Sequence, residues 1–278
     1  MKTTLLPFLF LLMLMLLPVG CQKKPEPLRI VCSVDMLPVV KALGREFQTH
    51  FGVPVTATPY VSDELVMGKS TCYDFVITDD VDLVALLAKN GTISAITEIG
   101  YAIPVMVLRR NDHLPVLKLA DLVTLDRPVR MTIATSGGTL PRIVMARFGQ
   151  AGISLQGEEA KIQLLPFLIS EIRSDGTQQA TTAQTMLQQL RDRETDIVVF
   201  WDFVAAGAIA KQDDSDAFVT VTWPQDASDT ITIPIGLVKD CTGFCACQVF
   251  VDFVKSRRGS ELLQSCFLYP GDDLVGQF

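Results

Sequence analysis

Histidine is nearly absent from this chain of 278 residues, which has only His50 and His113. Both lie in polar stretches, and neither a GxSxG nor an HExxH motif accompanies them. A hydrolytic triad would lack its base and a zinc hydrolase its ligands. Excess positive charge is also missing: the net charge of −7 gives no long-range attraction to nucleic acid or to an anionic membrane surface. It leaves room for a small anion held by local dipoles. After the first stretch, no apolar run approaches the ~20 residues of a bilayer span. No internal sequence repeat is visible either, so a solenoid is not indicated.

Apolar residues make up 49% and charged residues 20%, the balance of a globular protein. Lys2, the apolar run Leu5 to Leu17 and the pair Val19-Gly20 read as an export signal over residues 1–20. Cys21 directly follows the small-residue site. This resembles a bacterial lipoprotein signal, in which Cys21 is lipidated and anchors the chain at the periplasmic or cell surface. Pro18 departs from the usual large aliphatic residue, and an ordinary secretory signal is the alternative. Residues 21–27 then form a tether. The remaining six cysteines, Cys32, Cys72, Cys241, Cys245, Cys247 and Cys266, are an even number in an exported chain, which allows one to three disulfides. The 241/245/247 cluster lacks zinc-knuckle spacing and a nearby histidine. A disulfide within it or to Cys266 is favoured over a metal, with buried free thiols as the alternative.

From Leu28 onward the chain alternates strand and helix. Leu28 to Cys32 reads as a buried strand, Ser33 and Asp35 as helix caps, and Pro38 as a first-turn residue before Val39, Val40, Leu43 and Phe47. Val53 to Ala57, Phe75 to Ile77, Met131 to Ala134, Asp196 to Trp201 and Phe218 to Trp223 are further strands. Asp80 caps a helix from Val81 to Asn90 that Gly91 stops; Thr182 caps one from Ala183; Asp202 caps another. A helix around 164–172 is expected despite Pro166. Tyr101 to Leu108 and Thr230 to Lys239 are long strands joining two sets of units, and a helix bearing Phe250 and Phe253 precedes a last short one near 261–265. Such alternation predicts parallel sheets with helices on both faces, in two lobes with a cleft at the strand C-terminal ends.

Four places share one design. Ser33, Ser62, the loop from Ser136 to Leu140, and Thr182-Ala183 each put hydroxyls or free amides where a strand or loop enters a helix. A neutral donor to an ionised oxyanion makes a charge-assisted bond worth ~1.5–3 kcal/mol, so converging donors can hold a tetrahedral dianion without a lysine. Each, taken alone, reads first as a structural cap, and it is the recurrence in both sets of units that supports the joint reading.

The succession VCSVDM, PYVSDEL, YDFVIT, the Gly-rich loop, TTAQTMLQQL with DIVVFW, and ITIPIGLVK resembles the periplasmic molybdate-binding protein of molybdate ABC importers, over about residues 28 to 278. The resemblance implies an α/β, two-lobed type II periplasmic-binding-protein fold, each lobe a mostly parallel sheet flanked by helices. Lobe one would comprise 28–103 and 235–278, and lobe two 104–234. It implies a monomeric, non-enzymatic solute-binding protein without cofactor, which delivers molybdate or tungstate to an ABC permease and its ATPase and meets the membrane only through its lipid anchor. The family's donors fall on Ser33, Ser62, Leu140 beside Thr139, Ala183 and Trp201. Trp201 stands where the family has tyrosine, which bears on oxyanion size. Asp35 and Asp63 replace neutral residues; they are helix caps or, if they face the cleft, acceptors for the proton of an oxyanion such as phosphate or ligands that enter the coordination sphere of a metal oxyanion. Sulfate or phosphate binding, or a ligand-sensing lipoprotein of the same fold, are the alternative readings. No metal beyond that of the oxyanion itself is expected.

Overall fold

The computed structural model describes residues 26–60, 65, 73–112, 114–116, 119–134, 139–153, 162–164, 182–222, 230–239 and 244–270. The signal, Cys21, Ser62, Asp63, Cys72, Cys241, the loop 135–138 and the helix expected near 164–172 therefore lie, wholly or almost wholly, outside the described residues.

Two five-stranded sheets carry the fold. The first contains β1 (Leu28–Cys32), β2 (Val55–Pro59), β3 (Phe75–Ile77), β4 (Ile93–Ala102) and β10 (Ile231–Val238), in the order β2-β1-β3-β10-β4. The second contains β5 (Pro104–Arg109), β6 (Val129–Ile133), β7 (Ile162–Leu164), β8 (Ile197–Trp201) and β9 (Phe218–Thr222), in the order β7-β6-β8-β5-β9. In each sheet a parallel trio, β2-β1-β3 or β7-β6-β8, is followed by one reversed strand and an edge strand antiparallel to it. The two sheets thus share one topology. β10 pairs along its whole length with β4 in the first sheet.

The alternation seen in the sequence has a packing cause. Leu28, Ile30 and Cys32 of β1 face one apolar cluster and Val31 faces another, so the strand is buried on both sides. Helix α1 (Leu37–Phe51) covers the first face with Leu37, Val39, Val40, Leu43 and Phe47, an amphipathic stripe. Phe47 meets Phe250 edge to face at 5.1 Å between centroids, tying α1 to α6 (Phe244–Lys255). Helix α2 (Val81–Lys89) starts on Asp80, whose Oδ1 accepts from Leu83 N at 3.1 Å, and Gly91 follows it at φ 74°. The other helices are α3 (Thr139–Gln150), α4 (Thr182–Arg191), α5 (Asp202–Ile209) and α7 (Arg257–Ser265).

Three local expectations are corrected. Neither Ser33 nor Asp35 caps α1: Val34 to Met36 form a turn, closed by Met36 N donating to Ser33 O at 3.1 Å, and Met36 holds the cap position with no side-chain bond. Tyr101 to Leu108 is not one strand: the ladder breaks at Ile103, where the chain leaves the first sheet and enters the second. Cys266 is a free thiol, which rules out its pairing with the cluster; Cys247 is disulfide-bonded and Cys32 is free and buried.

Candidate functional site

The C-terminal ends of β1, β3, β6 and β8 converge between the sheets. Ser33 follows β1 and is 2% exposed; its N–H donates to Ile77 O at 3.1 Å, while its Oγ is buried without a hydrogen-bond partner. That is an unusual state for a hydroxyl, since buried polar atoms are nearly always bonded. Thr78, Asp79 and Asp80 follow β3. Thr78 Oγ1 lies 2.6 Å from the hydroxyl of Tyr60 and accepts from Asp80 N at 3.0 Å. Burial and the neighbouring charge of Asp79 push the Tyr60 phenol well above its ordinary pKa, so it stays a neutral hydroxyl. Burial likewise pushes the Cys32 thiol up to about 12 and keeps it an inert small hydrophobe.

From the second sheet come helix starts and an indole. Thr139 and Leu140 open α3 and are both buried; Ala183 is the second residue of α4 and is also buried. First-turn N–H groups have no acceptor within their own helix, and the helix dipole makes these ends positive. Trp201 ends β8, is 1% exposed, and its Nε1 donates to Asp79 Oδ2 at 2.7 Å. Asp35 and Ala183 face a shared cavity of about 160 Å³ that Pro38, Phe203 and Lys211 also line. Of the sequence-predicted residues, Asp35 and Ala183 thus share one cavity, while Trp201 meets Asp79 just after β3 and Ser33 is bonded to Ile77 at the end of β3. Ser62 and Asp63 lie outside the described residues.

Sequence reasoning missed Tyr60, Thr78, Asp79 and Arg142. Asp79 is the most consequential, a carboxylate 2% exposed at the meeting of the lobes. Its signal is present in YDFVITDD, a strand ending in hydroxyl and carboxylates as at Ser33, but local rules single out only Asp80 there, as a cap. Among the described residues no group of three or more His, Cys, Asp or Glu could hold a metal, and no helix is long and apolar enough to cross a membrane.

A pair of sheets joined by crossing strands, with donors at facing helix starts, defines a two-lobed binding protein. The match of residues 28–266 to the family of bacterial extracellular solute-binding proteins covers most of the chain, which belongs to that family. The family is that of bacterial extracellular solute-binding proteins, and the fold is the two-lobed one of such binding proteins. Among solved structures, the substrate-binding domain assigned to a molybdenum ABC transporter from Clostridium difficile is similar with a TM-score of 0.63 and 13% identity, covering 88% of this chain and 99% of that one. The sulfate-binding protein SubI from Mycobacterium tuberculosis gives 0.64 and 17%, covering 90% and 88%. Iron-bound HitA from Pseudomonas aeruginosa gives 0.64 and 15%, covering 88% and 86%. No curated protein matches the chain in sequence.

Proposed function

We propose that this chain captures a tetrahedral oxyanion, molybdate or tungstate, between its two lobes and hands it to an ABC permease and its ATPase, tethered to the membrane by lipidated Cys21. One observation carries the reading: the Ser33 hydroxyl is buried at the C-terminal end of β1 with no partner, beside a cleft that helix starts at Thr139-Leu140 and Ala183 enter from the other lobe. A buried donor left unmatched costs about 1–3 kcal/mol, which an oxyanion bridging the lobes recovers as charge-assisted bonds. The ligand then favours the closed state by its differential affinity for it, and no bond of the ligand is made or broken. Calorimetric titration of the mature chain in detergent against molybdate, tungstate, sulfate and phosphate tests this. Micromolar or tighter binding of molybdate or tungstate is expected, and no heat with any of the four would sink the proposal.

Asp79 favours a second reading. A carboxylate at the ligand's place is a hydrogen-bond acceptor, and an oxyanion that keeps a proton near neutral pH, such as hydrogen phosphate, can donate to it where molybdate cannot. Tighter binding of phosphate than of molybdate in the same titration would select this ligand.

A further inference from the structure

One corner of the first lobe reaches across the cleft three times within four residues. Asp79 Oδ2 accepts from the indole of Trp201 at 2.7 Å, Asp80 Oδ1 receives the hydroxyl of Thr139 at 3.4 Å, and Asp82 pairs with Arg142 Nη2 at 3.0 Å. The first two contacts are buried or half-buried and the third is exposed at the rim. All three partners belong to the end of β8 or the first turn of α3, where the second lobe offers its donors.

We infer that Asp79 is an internal surrogate anion: its carboxylate occupies the Trp201 donor when no solute is bound and latches the lobes together, so an incoming dianion must displace it. The chemistry of the contact argues for this. An indole N–H bonded to a buried carboxylate is a short, charge-assisted bond, and a dianion placed at the same donor would face that carboxylate at close range in a poorly screened site. Both cannot hold the indole at once. The surrogate is covalently part of the chain, so it competes at a high effective concentration that no dilution lowers. Solute affinity is then reduced by the fraction of molecules that are latched, and removing the latch restores it. Asp80 and Asp82 guide the same closure from flanking positions, Asp80 while still capping α2.

This rests on the oxyanion reading only for the identity of the displacing solute, and the test separates the two. Wild type, Asp79→Ala, Asp79→Asn and Trp201→Phe are compared in two measurements. Small-angle scattering of the solute-free proteins reads the latch itself: wild type is expected compact, Asp79→Ala and Trp201→Phe expanded, and Asp79→Asn intermediate because an amide oxygen still accepts, without the charge. Calorimetry with molybdate and with phosphate reads the competition: Asp79→Ala is expected to bind molybdate at least tenfold more tightly than wild type. Equal dimensions for all four proteins would overturn the latch whatever the solute. Unchanged or weaker molybdate binding in Asp79→Ala, or phosphate binding lost with the carboxylate, would overturn it too and make Asp79 a direct acceptor for the solute. If no oxyanion binds any variant while the scattering differences hold, the latch stands and the oxyanion reading falls.

Discussion

Asp202 and Ile103 hold each other at the point where the chain passes from one sheet to the other. Asp202 Oδ1 accepts from Ile103 N at 3.1 Å, and Asp202 N donates to Ile103 O at 2.8 Å. The residue that ends the expected long strand is therefore pinned by the first residue of α5, and the carboxylate also receives Phe203 N at 2.9 Å. Its other oxygen, Oδ2, is buried without a partner.

This pair has a pH signature. Burial raises the Asp202 pKa from an ordinary 3.8 to about 7, against the opposing pull of the backbone N–H bonds from Ile103 and Phe203. Between those values the folded chain holds a proton that the unfolded chain releases, so this group's contribution falls as pH rises from about 4 to 7 and is flat beyond. The span is on the order of 2–4 kcal/mol. Asp202→Asn, which keeps the Oδ1 acceptor and cannot ionise, is expected to match wild type near pH 4 and exceed it at pH 8. Thermal melts across that range check it; a variant less stable at pH 8 would show that ionised Asp202 is what the hinge needs.

The central strands of both parallel trios were legible because a strand buried on two faces is a short β-branched run and little else, whereas the edge strand β7 (Ile162–Leu164) was not, since Leu164 read as the start of a helix. Phe75 to Ile77 and Ile197 to Trp201 are such runs, and each lies where expected. Legibility failed where a side chain's role depends on a partner distant in sequence. Nothing near Asp79 announces Trp201, which is 122 residues away, and nothing in Tyr101 to Leu108 marks Ile103 as the crossover, because both halves are apolar strands. The serine and aspartate before α1 read as caps by local rules, yet a turn displaced them and Met36 took the position. A local preference worth about 1 kcal/mol yields when tertiary placement prefers the side chain elsewhere.

Topology exposes a repeat that sequence identity hides. Asp74, just before β3, accepts from Arg29 N at 2.8 Å in the first sheet; Asp196, just before β8, accepts from Arg130 N at 2.9 Å at the matching place in the second. Each carboxylate fastens the start of a central strand to its neighbour. Asp196 also meets the guanidiniums of Arg109, Arg127 and Arg130 at 3.3–3.8 Å. Burial alone would raise its pKa, but the bonds from Arg130 and the charges of Arg130 and Arg127 outweigh that and hold its carboxyl below the usual range. Its stabilisation is therefore present above pH ~4 and lost as pH falls further. Asp196→Ala is expected to cost about 2–3 kcal/mol at pH 7 and to flatten the acid limb of the stability profile, while Asp74→Ala costs about 1–2. Urea unfolding at pH 7 and pH 3 measures both; an Asp196→Ala chain as stable as wild type at pH 7 would refute the clamp.

The elbow between α6 and α7 depends on glycine through close approach. A Cβ at Gly259 would lie 2.3 Å from Val254 O and 2.4 Å from Phe253 O, backbone atoms that cannot swing aside. Ser256 caps α7 by accepting Gly259 N at 3.2 Å, which fixes that approach. Gly259→Ala is expected to cost on the order of 2–4 kcal/mol by forcing the helices apart, against about 1 for Ser256→Ala. A thermal melt of Gly259→Ala within a degree or two of wild type would contradict the crowding.

Ser33→Ala separates stability from binding. Removing a hydroxyl that is buried without a partner takes away an unmet polar group, so the solute-free variant is expected to be as stable as wild type or more so, by up to ~1 kcal/mol. The same change deletes a donor that the proposed oxyanion would use, and the loss of one charge-assisted bond weakens binding roughly tenfold or more. Thermal shift with and without molybdate reads both quantities in one experiment: the baseline melting temperature holds or rises while the solute-induced increment shrinks, as ligand linkage requires. A variant that melts lower without solute and keeps the full increment would mean that Ser33 serves the fold and that the solute is held elsewhere.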